Sequence, residues 1–555
     1  MYLRTTKRKR KDGSEVRYLQ LAHNDWDATA GQSRVRVIYN FGREDLLDRD
    51  GIARLISSLS RALPADQALA VGVGGDLTFT ESRPMGAAYV LDQLWGRLGI
   101  DKTLRRLIKG TKRASEVERV LFALVANRAI DPSSKLAATA WVRDRVHVDG
   151  LDDVDADACY RAMDWLLEVE EPLAEAIYWA TADLLNLEVD LLFFDTTSTY
   201  FEIEQADDPA EAETVGFRTY GHSKDHRPDL PQVIIGMAVT RTGIPIRVWS
   251  WPGNTNDSAL IRQVKDDLHS WRLGRVVWVA DRGFASEQNR RYLQRAGGSY
   301  ILGEKLRGGT PEAEAALGRQ GRYHTITDNL EVKEVVIDDG AMRDRFVICR
   351  NPEAAERDRT IRDQLLAQLA DVIDGTDKLS AAKRAELAGS LPVRLRRFLR
   401  TTPAGLLRID RAAVAAEQRL DGKFLLRSAD PTLSAEDIAL GYKQLLEVER
   451  GWRDMKSTLE LRPVFHRLEH RIRAHVVLCW LALLLIRIAE TGTGDTWRNL
   501  RHQLNQIHLG TFCGPAGTIK RRTATTHAQA RIFAALNITE PQEISKLQPA
   551  TTRTA

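Results

Sequence analysis

Two apolar runs, each ending on an aspartate, constrain the fold of this chain more than any other feature of its sequence. LLFF leads directly into Asp195, and VVWVA leads directly into Asp281. Short apolar runs of this kind predict buried strands, and open α/β sheets place their ligands beyond the carboxyl ends of such strands. Aspartate and glycine also occur in ordinary turns, so either aspartate alone permits both interpretations.

The two strand-end carboxylates have a chemical consequence if they lie side by side. Carboxylates that share a low-dielectric site repel one another, so either one stays protonated or a divalent cation neutralises the pair. Because all the ligands would be oxygen atoms, that cation is expected to be Mg²⁺ or Mn²⁺.

The composition is that of a large globular protein with a small excess of basic residues. The 555 residues exceed one ordinary domain, and 43% hydrophobic with 28% charged residues is typical of a folded chain. The net charge of +4 permits a nucleic-acid partner without requiring one. The four cysteines are far apart in the sequence, which fits a reducing cytoplasm and gives no zinc motif.

Targeting and membrane signals are not recognisable in the sequence. Basic residues near the N-terminus are not followed by the apolar core of a secretory signal. The longest apolar run, 476–486, is too short to cross a bilayer and predicts a core helix. We therefore expect a cytoplasmic protein without a membrane partner.

Changes of pattern along the chain predict an α/β multidomain protein with a largely helical N-terminal region. Helical spacing dominates one early stretch, and strands then alternate with helices before a mixed segment and a second helical region. The predicted divisions are a small N-terminal α/β segment (1–85), a helical domain (86–189), the first part of a mixed-sheet core (190–304), a strand-rich insertion (305–433), C-terminal helices (434–540) and a disordered tail (541–555). In the helical domain, RAIDPSSKLAATAWVRD is either half of a DNA-binding helix pair or part of a plain bundle.

A third acidic candidate lies in SAEDIALGYKQLLEVERGWRDMK, residues 434–456. Apolar residues recur there at helical spacing, so the stretch predicts one helix. Tyr442, Glu449 and Lys456 are seven residues apart in turn and therefore share a stripe on that helix. Glu447 points elsewhere and is the poorer candidate. The ordinary alternative for Glu449 is a surface ion pair four residues along the helix, with Arg453.

These motifs together resemble the DDE transposases of bacterial insertion sequences, in particular the group with a Tyr-Arg-Glu-Lys signature. FFDTTSTYFE and VADRGFASEQN are similar to the two aspartate motifs of that family, and GHSKDHRPDLPQV is similar to the stretch between them. The signature spacing is met by Tyr442, Glu449 and Lys456. Its arginine position holds Leu445, so that phosphate contact is absent or is supplied by Arg450 or Arg453.

The resemblance implies a ribonuclease H-like mixed-sheet catalytic core that is interrupted by the insertion at 305–433. It also implies that Asp195, Asp281 and Glu449 are both the catalytic residues and the metal ligands. They would hold two Mg²⁺ (or Mn²⁺) ions, with Asp195 bridging, because two such ions can bracket a scissile phosphate.

The implied activity is cut-and-paste transposition, with phosphodiester hydrolysis and strand transfer at terminal inverted repeats. The partners would be double-stranded DNA, both terminal repeats and target, with the helical domain 86–189 bound to the DNA ends. A homodimer is expected because two ends must be brought together.

Six side chains near the expected site are candidates for DNA contact: Tyr442, Lys456, Arg453, Lys224, Arg227 and Trp452. The lysines and arginines can pair with phosphates, and the two aromatic rings can stack on bases. Core packing is the alternative for both rings. The basic run RPVFHRLEHRIRAH, 462–475, is either a solvated face or the lining of a DNA groove.

Two other functions remain open at this point. FFDTTST is also similar to the first motif of haloacid dehalogenase-type phosphatases, but the general acid expected two residues after the aspartate is replaced by Thr197. A catalytically inactive, transposase-derived DNA-binding protein is the second alternative, and the presence of all three carboxylates argues against it.

Overall fold

The computed structural model describes residues 1–10, 14–27, 31–60, 77–111, 116–185, 191–207, 216–269, 271, 276–338, 343–514 and 517–549. Its strands are β1 (Tyr2–Lys9), β2 (Glu15–Asp27), β3 (Gln32–Arg43), β4 (Thr78–Pro84), β5 (Leu191–Tyr200), β6 (Gln232–Thr240), β7 (Pro245–Pro252), β8 (Val277–Ala280), β9 (Ser299–Glu304), β10 (His324–Thr327), β11 (Leu330–Asp338), β12 (Arg343–Arg350), β13 (Leu399–Thr401), β14 (Leu407–Ile409), β15 (Lys423–Ser428), β16 (His508–Gly514), β17 (Gly517–Arg522) and β18 (Ile544–Pro549).

Its α-helices are α1 (Arg49–Ser60), α2 (Gly86–Arg97), α3 (Ile100–Ile108), α4 (Val117–Ile130), α5 (Lys135–Ala140), α6 (Ala156–Glu168), α7 (Glu170–Leu185), α8 (Asp257–His269), α9 (Glu287–Gln294), α10 (Pro311–Gly318), α11 (Pro352–Ile373), α12 (Ala381–Ser390), α13 (Val393–Arg396), α14 (Arg411–Gln418), α15 (Ala435–Lys443), α16 (Leu446–Ser457), α17 (Glu469–Thr493), α18 (Trp497–Leu504) and α19 (His527–Ala535). The chain forms two compact units: Met1–Ser82 with Gly510–Arg522 and Gln542–Ala555, and Arg83–Leu509 with Thr523–Pro541.

The first unit contains two small sheets. Strands β1, β2 and β3 pair antiparallel in chain order, and α1 follows them. The stretches VRYLQLAHN and SRVRVIYNFG therefore lie in the paired strands β2 and β3. The second sheet has the order β18-β17-β16-β4.

The C-terminal tail differs from the sequence-based expectation. The polar residues 541–555 are expected to be disordered, but β18 pairs antiparallel with β17, with Leu547 opposite Ile519, while 550–555 lie outside the described residues. Main-chain hydrogen bonds to a neighbouring strand do not depend on apolar side chains, so composition alone did not reveal the strand.

The second unit is built around a nine-stranded mixed sheet with the order β10-β11-β12-β15-β9-β8-β5-β6-β7. Strands β5, β6 and β7 are antiparallel neighbours, whereas β5, β8 and β9 run parallel. RTGIP connects β6 to β7, and strands alternate with helices from 191 to 304 as predicted. Nearly every residue of β5 and β6 is buried, as expected of central strands covered on both faces.

The predicted insertion, 305–433, does not form a separate β domain. It contributes β10, β11, β12 and β15 to the central sheet, through the antiparallel pairing of β15 with β9. The free edge of β9 would otherwise expose unpaired backbone groups.

One helical subdivision of the insertion, 352–421, has an apolar cluster of its own, formed by Leu365, Leu369, Leu391, Leu395 and Phe398. It leaves and re-enters the sheet at one point, because the Asn351 N–H donates to the Gly422 carbonyl at 2.8 Å.

A buried ion cluster ties β9, β12 and β15 together. Arg427, only 1% exposed, pairs with Asp344 and lies 3.5 Å from Glu304. Arg290 of α9 lies 3.8 Å from the same glutamate, and the Tyr300 hydroxyl donates to Asp344 at 3.3 Å. Burial raises the pKa of Glu304, while the two guanidinium groups oppose that rise. The cluster is thus a set of compensated charges.

Helix α17 is central to the core of the second unit and packs against α4, α6 and β7. By length and composition it could cross a membrane, but 94% of its most apolar 18-residue window is buried inside the protein. This agrees with the core helix predicted for the run 476–486, although the helix extends beyond both ends of that run.

The possible DNA-binding unit RAIDPSSKLAATAWVRD is part of the helical bundle. Helix α4 is buried along almost its whole length, and a π-helical segment, Trp141–Arg145, follows the short α5. The residues that α5 exposes are Leu136 and Ala137, which carry no base-reading group. The plain-bundle alternative fits this stretch.

The stretch predicted as one helix, 434–456, is two helices, with a turn at Gln444 and Leu445. Ser434 caps the first of these helices in a reciprocal capping box with Asp437. Helix α15 packs on β8 and β9, whereas α16 packs on β5 and β6. Because the two helices cover different strands, the chain turns between them, and Tyr442 is not on the helix that carries Glu449.

Candidate active site

Asp195 and Asp281 lie next to each other on neighbouring interior strands of the central sheet, but Asp195 is within β5 and not at a strand end as predicted, whereas Asp281 directly follows β8. In the parallel pair of β5 and β8, Phe194 is opposite Ala280. Asp195 follows the first of these residues and Asp281 the second. The register of two buried strands therefore fixes where both carboxylates emerge.

The environment of Asp195 disfavours its negative charge. Burial is the main cause that raises the pKa of Asp195 to about 6, and the negative charges of Asp281 and Asp257 add to it. The Lys224 ammonium and a backbone hydrogen bond at Thr196 oppose the rise. A cation placed beside this pair would relieve the same repulsion.

Lys224, predicted to contact DNA, is anchored beside Asp195. Its ammonium donates to the carbonyl of Thr196 at 2.7 Å and to the hydroxyl of that residue at 2.6 Å. It also pairs with Asp257 at 2.9 Å. The lysine therefore holds the strand segment that carries the first aspartate.

Lys456 also engages strand β5. Its ammonium donates to the Thr197 hydroxyl and to Asp225, both at 2.8 Å. Arg462 lies 3.1 Å from the same aspartate, and burial lowers the pKa of Lys456. Sequence reasoning missed Asp225, although it directly follows Lys224 in the quoted GHSKDHRPDLPQV stretch.

Tyr442 contacts the second aspartate. Its hydroxyl donates to Asp281 Oδ1 at 3.1 Å, and burial together with the Asp281 charge raises its pKa. The ring is stacked with Phe424, with 6.1 Å between centroids. A Cβ on Gly303 would lie 2.5 Å from the Tyr442 hydroxyl oxygen, so glycine at that position allows the tyrosine to reach the site.

Glu449 is exposed on α16, and the structure does not group it with the two aspartates. Within the described residues, no set of three His, Cys, Asp or Glu side chains is close enough to hold a metal ion. The surface pair expected with Arg453 is also not formed among those residues. Seven residues separate Glu449 from Lys456, so both lie on the same side of α16, about 10.5 Å apart along its axis.

The neighbouring Glu447 faces a different part of the molecule. Its carboxylate lies against Gly243, in the turn between β6 and β7. Arg450, one of the two substitutes considered for the missing signature arginine, lies 3.9 Å from Glu447 and 3.4 Å from Glu490. It is therefore engaged in ion pairs, whereas Arg453 is exposed.

The remaining predicted DNA contacts have different outcomes. Trp452 is 6% exposed and packs in the apolar core, so base stacking was the wrong interpretation of this residue. Its position follows from the inward-facing spacing of Val448, Trp452 and Met455 on α16. Arg227 pairs with Asp229 at 2.8 Å and lies over the Tyr200 ring at the end of β5, where its DNA contact stays a prediction.

The basic run 462–475 is mostly engaged inside the protein rather than lining a groove. Arg471 pairs with Asp164 at 3.1 Å, and Arg473 pairs with Glu469 at 2.7 Å. His466 and His475 are buried, and burial lowers the pKa of His466 to about 4. Arg467 is exposed.

The chain matches two known protein families. Residues 199–485 match the family described as Transposase DDE domain, and residues 3–68 match the IS1634 family transposase N-terminal domain. The first match contains Asp281 and Glu449 and begins just after Asp195. Because it spans more than half of the chain, the protein belongs to the DDE transposases. It is a transposase of an insertion sequence and an enzyme of DNA transposition.

Comparisons with curated proteins and with solved structures gave different results. No curated protein matches the chain. Among solved structures, it is similar to piggyBac transposase in a cryo-EM structure of a synaptic complex with hairpin DNA. That similarity has a TM-score of 0.36 at 12% identity and covers 77% of this chain and 82% of the other.

Proposed function

We propose that this transposase cuts and joins DNA at the terminal inverted repeats of its element, with Asp195, Asp281 and Glu449 as the catalytic carboxylates. The observation that carries the proposal is the side-by-side placement of Asp195 and Asp281, directly after the last paired residues of the parallel strands β5 and β8, with Asp195 in the middle of β5. The haloacid dehalogenase-type alternative lacks a second carboxylate at Thr197, whose hydroxyl instead accepts a hydrogen bond from Lys456.

The donors present fit divalent cations of the Mg²⁺ or Mn²⁺ type. Asp195 and Asp281 are both carboxylates, and burial is the main cause of the raised pKa of Asp195, with the negative charge of Asp281 adding to it. Asp195 and Asp281 would hold the ions, and Glu449 would supply the third carboxylate in the complex with DNA. When bound, a pair of such ions lowers the pKa of an attacking water or hydroxyl and stabilises the leaving oxygen.

The side chains around the carboxylates have positioning roles in this proposal. Tyr442 orients Asp281 through its hydroxyl hydrogen bond. Lys224 and Lys456 hold Thr196 and Thr197 on either side of the β5 backbone that follows Asp195. Their positive charges also favour the approach of a phosphate to this edge of the sheet.

Several finer points belong to the same proposal. The five strands β7-β6-β5-β8-β9, three antiparallel followed by two parallel, fit a ribonuclease H-like core. The spacing of Tyr442, Glu449 and Lys456 fits the Tyr-Arg-Glu-Lys group despite Leu445. A homodimer in the cytoplasm, acting on two DNA ends with two metal ions per site, completes the proposal.

The test is cleavage of a duplex that carries the terminal repeats flanking the gene of this chain. Cleavage is expected to require Mg²⁺ or Mn²⁺ and to be lost in Asp281→Asn and in Glu449→Gln. The matched control is Glu447→Gln, which removes the same charge from the other side of α16 and should retain cleavage. Full activity of Glu449→Gln would remove this residue from the site, and metal-independent cleavage would overturn the metal assignment.

A further inference from the structure

A groove of about 590 Å³ lies in the second unit, between α18 and the π-helical segment Trp141–Arg145. Its lining includes none of the carboxylates, lysines or aromatic residues of the proposed active site. The side chains that give it polar character are Arg145, Arg498, Asn499, Arg501 and His502. The groove is therefore a separate feature with its own chemistry.

Helix α18 presents one polar side to this groove. Trp497, Leu500 and Leu504 are buried on the opposite side, and the Trp497 indole N–H donates to the Ala129 carbonyl at 2.7 Å. This contact fixes α18 on α4. Arg498 and His502, four residues apart, therefore face outward from a helix that is held in place.

The positive charge of the groove is only partly compensated. Arg145 pairs with Asp131 at 3.0 Å, and Asp131 is the one acidic side chain among the lining residues. Arg501 donates to the Ile130 carbonyl at 2.9 Å, which satisfies a hydrogen bond without neutralising its charge. Arg498 is exposed and has no acidic partner in the part of the chain that the structure describes.

The connection between α17 and α18 gives an independent argument. The two helices are joined by the short turn 494–496, which begins at Gly494 with a φ of +70°. A helix that follows such a short turn and exposes Arg, Asn and His side chains shares these two features with the second helix of helix-turn-helix units, which contacts DNA.

We propose that this groove binds the sugar-phosphate backbone of duplex DNA, with Arg498, Arg501 and Arg145 as the phosphate contacts. Guanidinium groups match phosphate oxygens in a forked geometry, and Asn499 adds a neutral donor. The inference rests on the proposed function for its partner, since a transposase must hold DNA beyond the scissile bond. It adds a second region of contact, far in sequence from the first two carboxylates.

The experiment measures binding of the full chain to fluorescent duplexes by anisotropy, over a range of salt concentrations. One duplex carries the terminal repeats and a second has the same length and composition in scrambled order. Binding of a polyglutamate peptide tests the alternative that the groove binds an acidic protein. The variants are Arg498→Glu and His502→Glu, and the matched control is Arg394→Glu on the exposed side of α13.

Arg498→Glu is expected to weaken DNA binding by about tenfold and to reduce the slope of log affinity against log salt by about 1. Thermal unfolding should be unchanged in this exposed variant, and Arg394→Glu should bind DNA like the parent. Equal weakening on both duplexes identifies the shared backbone as the ligand, and weakening on the repeat duplex alone identifies the transposon end. Both outcomes support the groove.

Other outcomes overturn the inference. Parent-like DNA binding by both Arg498→Glu and His502→Glu removes the groove from the DNA-binding surface. Weakening confined to the polyglutamate peptide assigns the groove to an acidic protein. Cleavage by the parent chain is scored in parallel: a chain that cleaves while its groove variants bind normally loses only this inference. A chain that binds through the groove but does not cleave loses only the proposed catalytic function.

Discussion

Two clusters of acidic side chains occupy the same nine-stranded sheet, and they differ in how their charge is balanced. In the buried ion cluster, Arg427 and Arg290 face Asp344 and Glu304, so each sign is matched. At the candidate active site, burial raises the pKa of Asp195, the negative charge of Asp281 adds to that rise, and Lys224 is shared with Asp257. Buried charges that are matched hold strands together. Carboxylates left with excess negative charge are suited to binding a cation.

The largest expected effect follows from removing one of the two carboxylate charges at the candidate active site. Asp195→Asn should lower DNA cleavage at least a thousandfold, which corresponds to about 4 kcal/mol of activation free energy, because the amide cannot replace a carboxylate ligand. The free energy of unfolding should not fall. A steady-state cleavage assay and urea unfolding measure the two. A variant that cleaves normally would place the first carboxylate elsewhere.

Removing one charge from the buried ion cluster should instead lower the stability of the protein and leave its cleavage activity unchanged. Arg427→Ala leaves Asp344 and Glu304 buried without their main partner, and it should cost about 3–5 kcal/mol of unfolding free energy. Cleavage per folded molecule should be retained. The control is Arg408→Ala, which removes an exposed ion pair with Asp377 and should cost less than about 1 kcal/mol. Equal losses in both variants would contradict the contrast between the clusters.

The pH dependence of stability sharpens the same comparison. The folded-state pKa of Asp195 is raised from 3.8 to about 6. Between these two pH values the carboxyl group of Asp195 keeps its proton in the folded protein but has lost it in the unfolded chain. The group therefore lowers the stability of the parent as pH rises through that window. Asp195→Asn should match the parent near pH 3.5 and exceed it by up to about 3 kcal/mol above pH 7. Urea unfolding without added metal measures the difference in unfolding free energy between the variant and the parent at each pH. A difference that does not change with pH would contradict the prediction.

The smallest effect is expected for a neutral neighbour of the pair. Tyr442→Phe removes the hydrogen bond to Asp281 Oδ1 and should lower cleavage by about tenfold or less, with a stability change near 1 kcal/mol. Its stacking with Phe424 is retained, so the packing is preserved. If cleavage falls as far as in Asp195→Asn, the hydroxyl contacts the reacting phosphate rather than only positioning the aspartate. Single-turnover rates at saturating DNA distinguish the two roles.

The sequence predicted the two buried strands beside the aspartates because their signal is local: four or five apolar residues identify each strand. Strand β8 ends before Asp281 as predicted, whereas β5 continues to Tyr200 because its pairing with β6 extends past Asp195. The core helix at 476–486 was also predictable from its length and composition.

Long-range contacts explain what the sequence did not reveal. Helical periodicity continues through 434–456, but α15 and α16 cover different strands, and only the tertiary packing requires the turn at Gln444 and Leu445. The ion pair of Lys456 with Asp225 joins residues more than two hundred positions apart, so no local pattern around Lys456 indicates it. The insertion strands extend the central sheet because β9 has an open edge. No local sequence pattern indicates that edge.

The close approach of the two ends of segment 352–421 has a practical consequence. Its two ends meet at the hydrogen bond between Asn351 and Gly422, and β12 and β15 are already adjacent without it. A two- or three-residue linker could therefore replace the whole helical subdivision, or a reporter domain with close termini could be grafted there. Such chimeras would allow exchange of this module between elements while the strand carrying Asp281 keeps its neighbours.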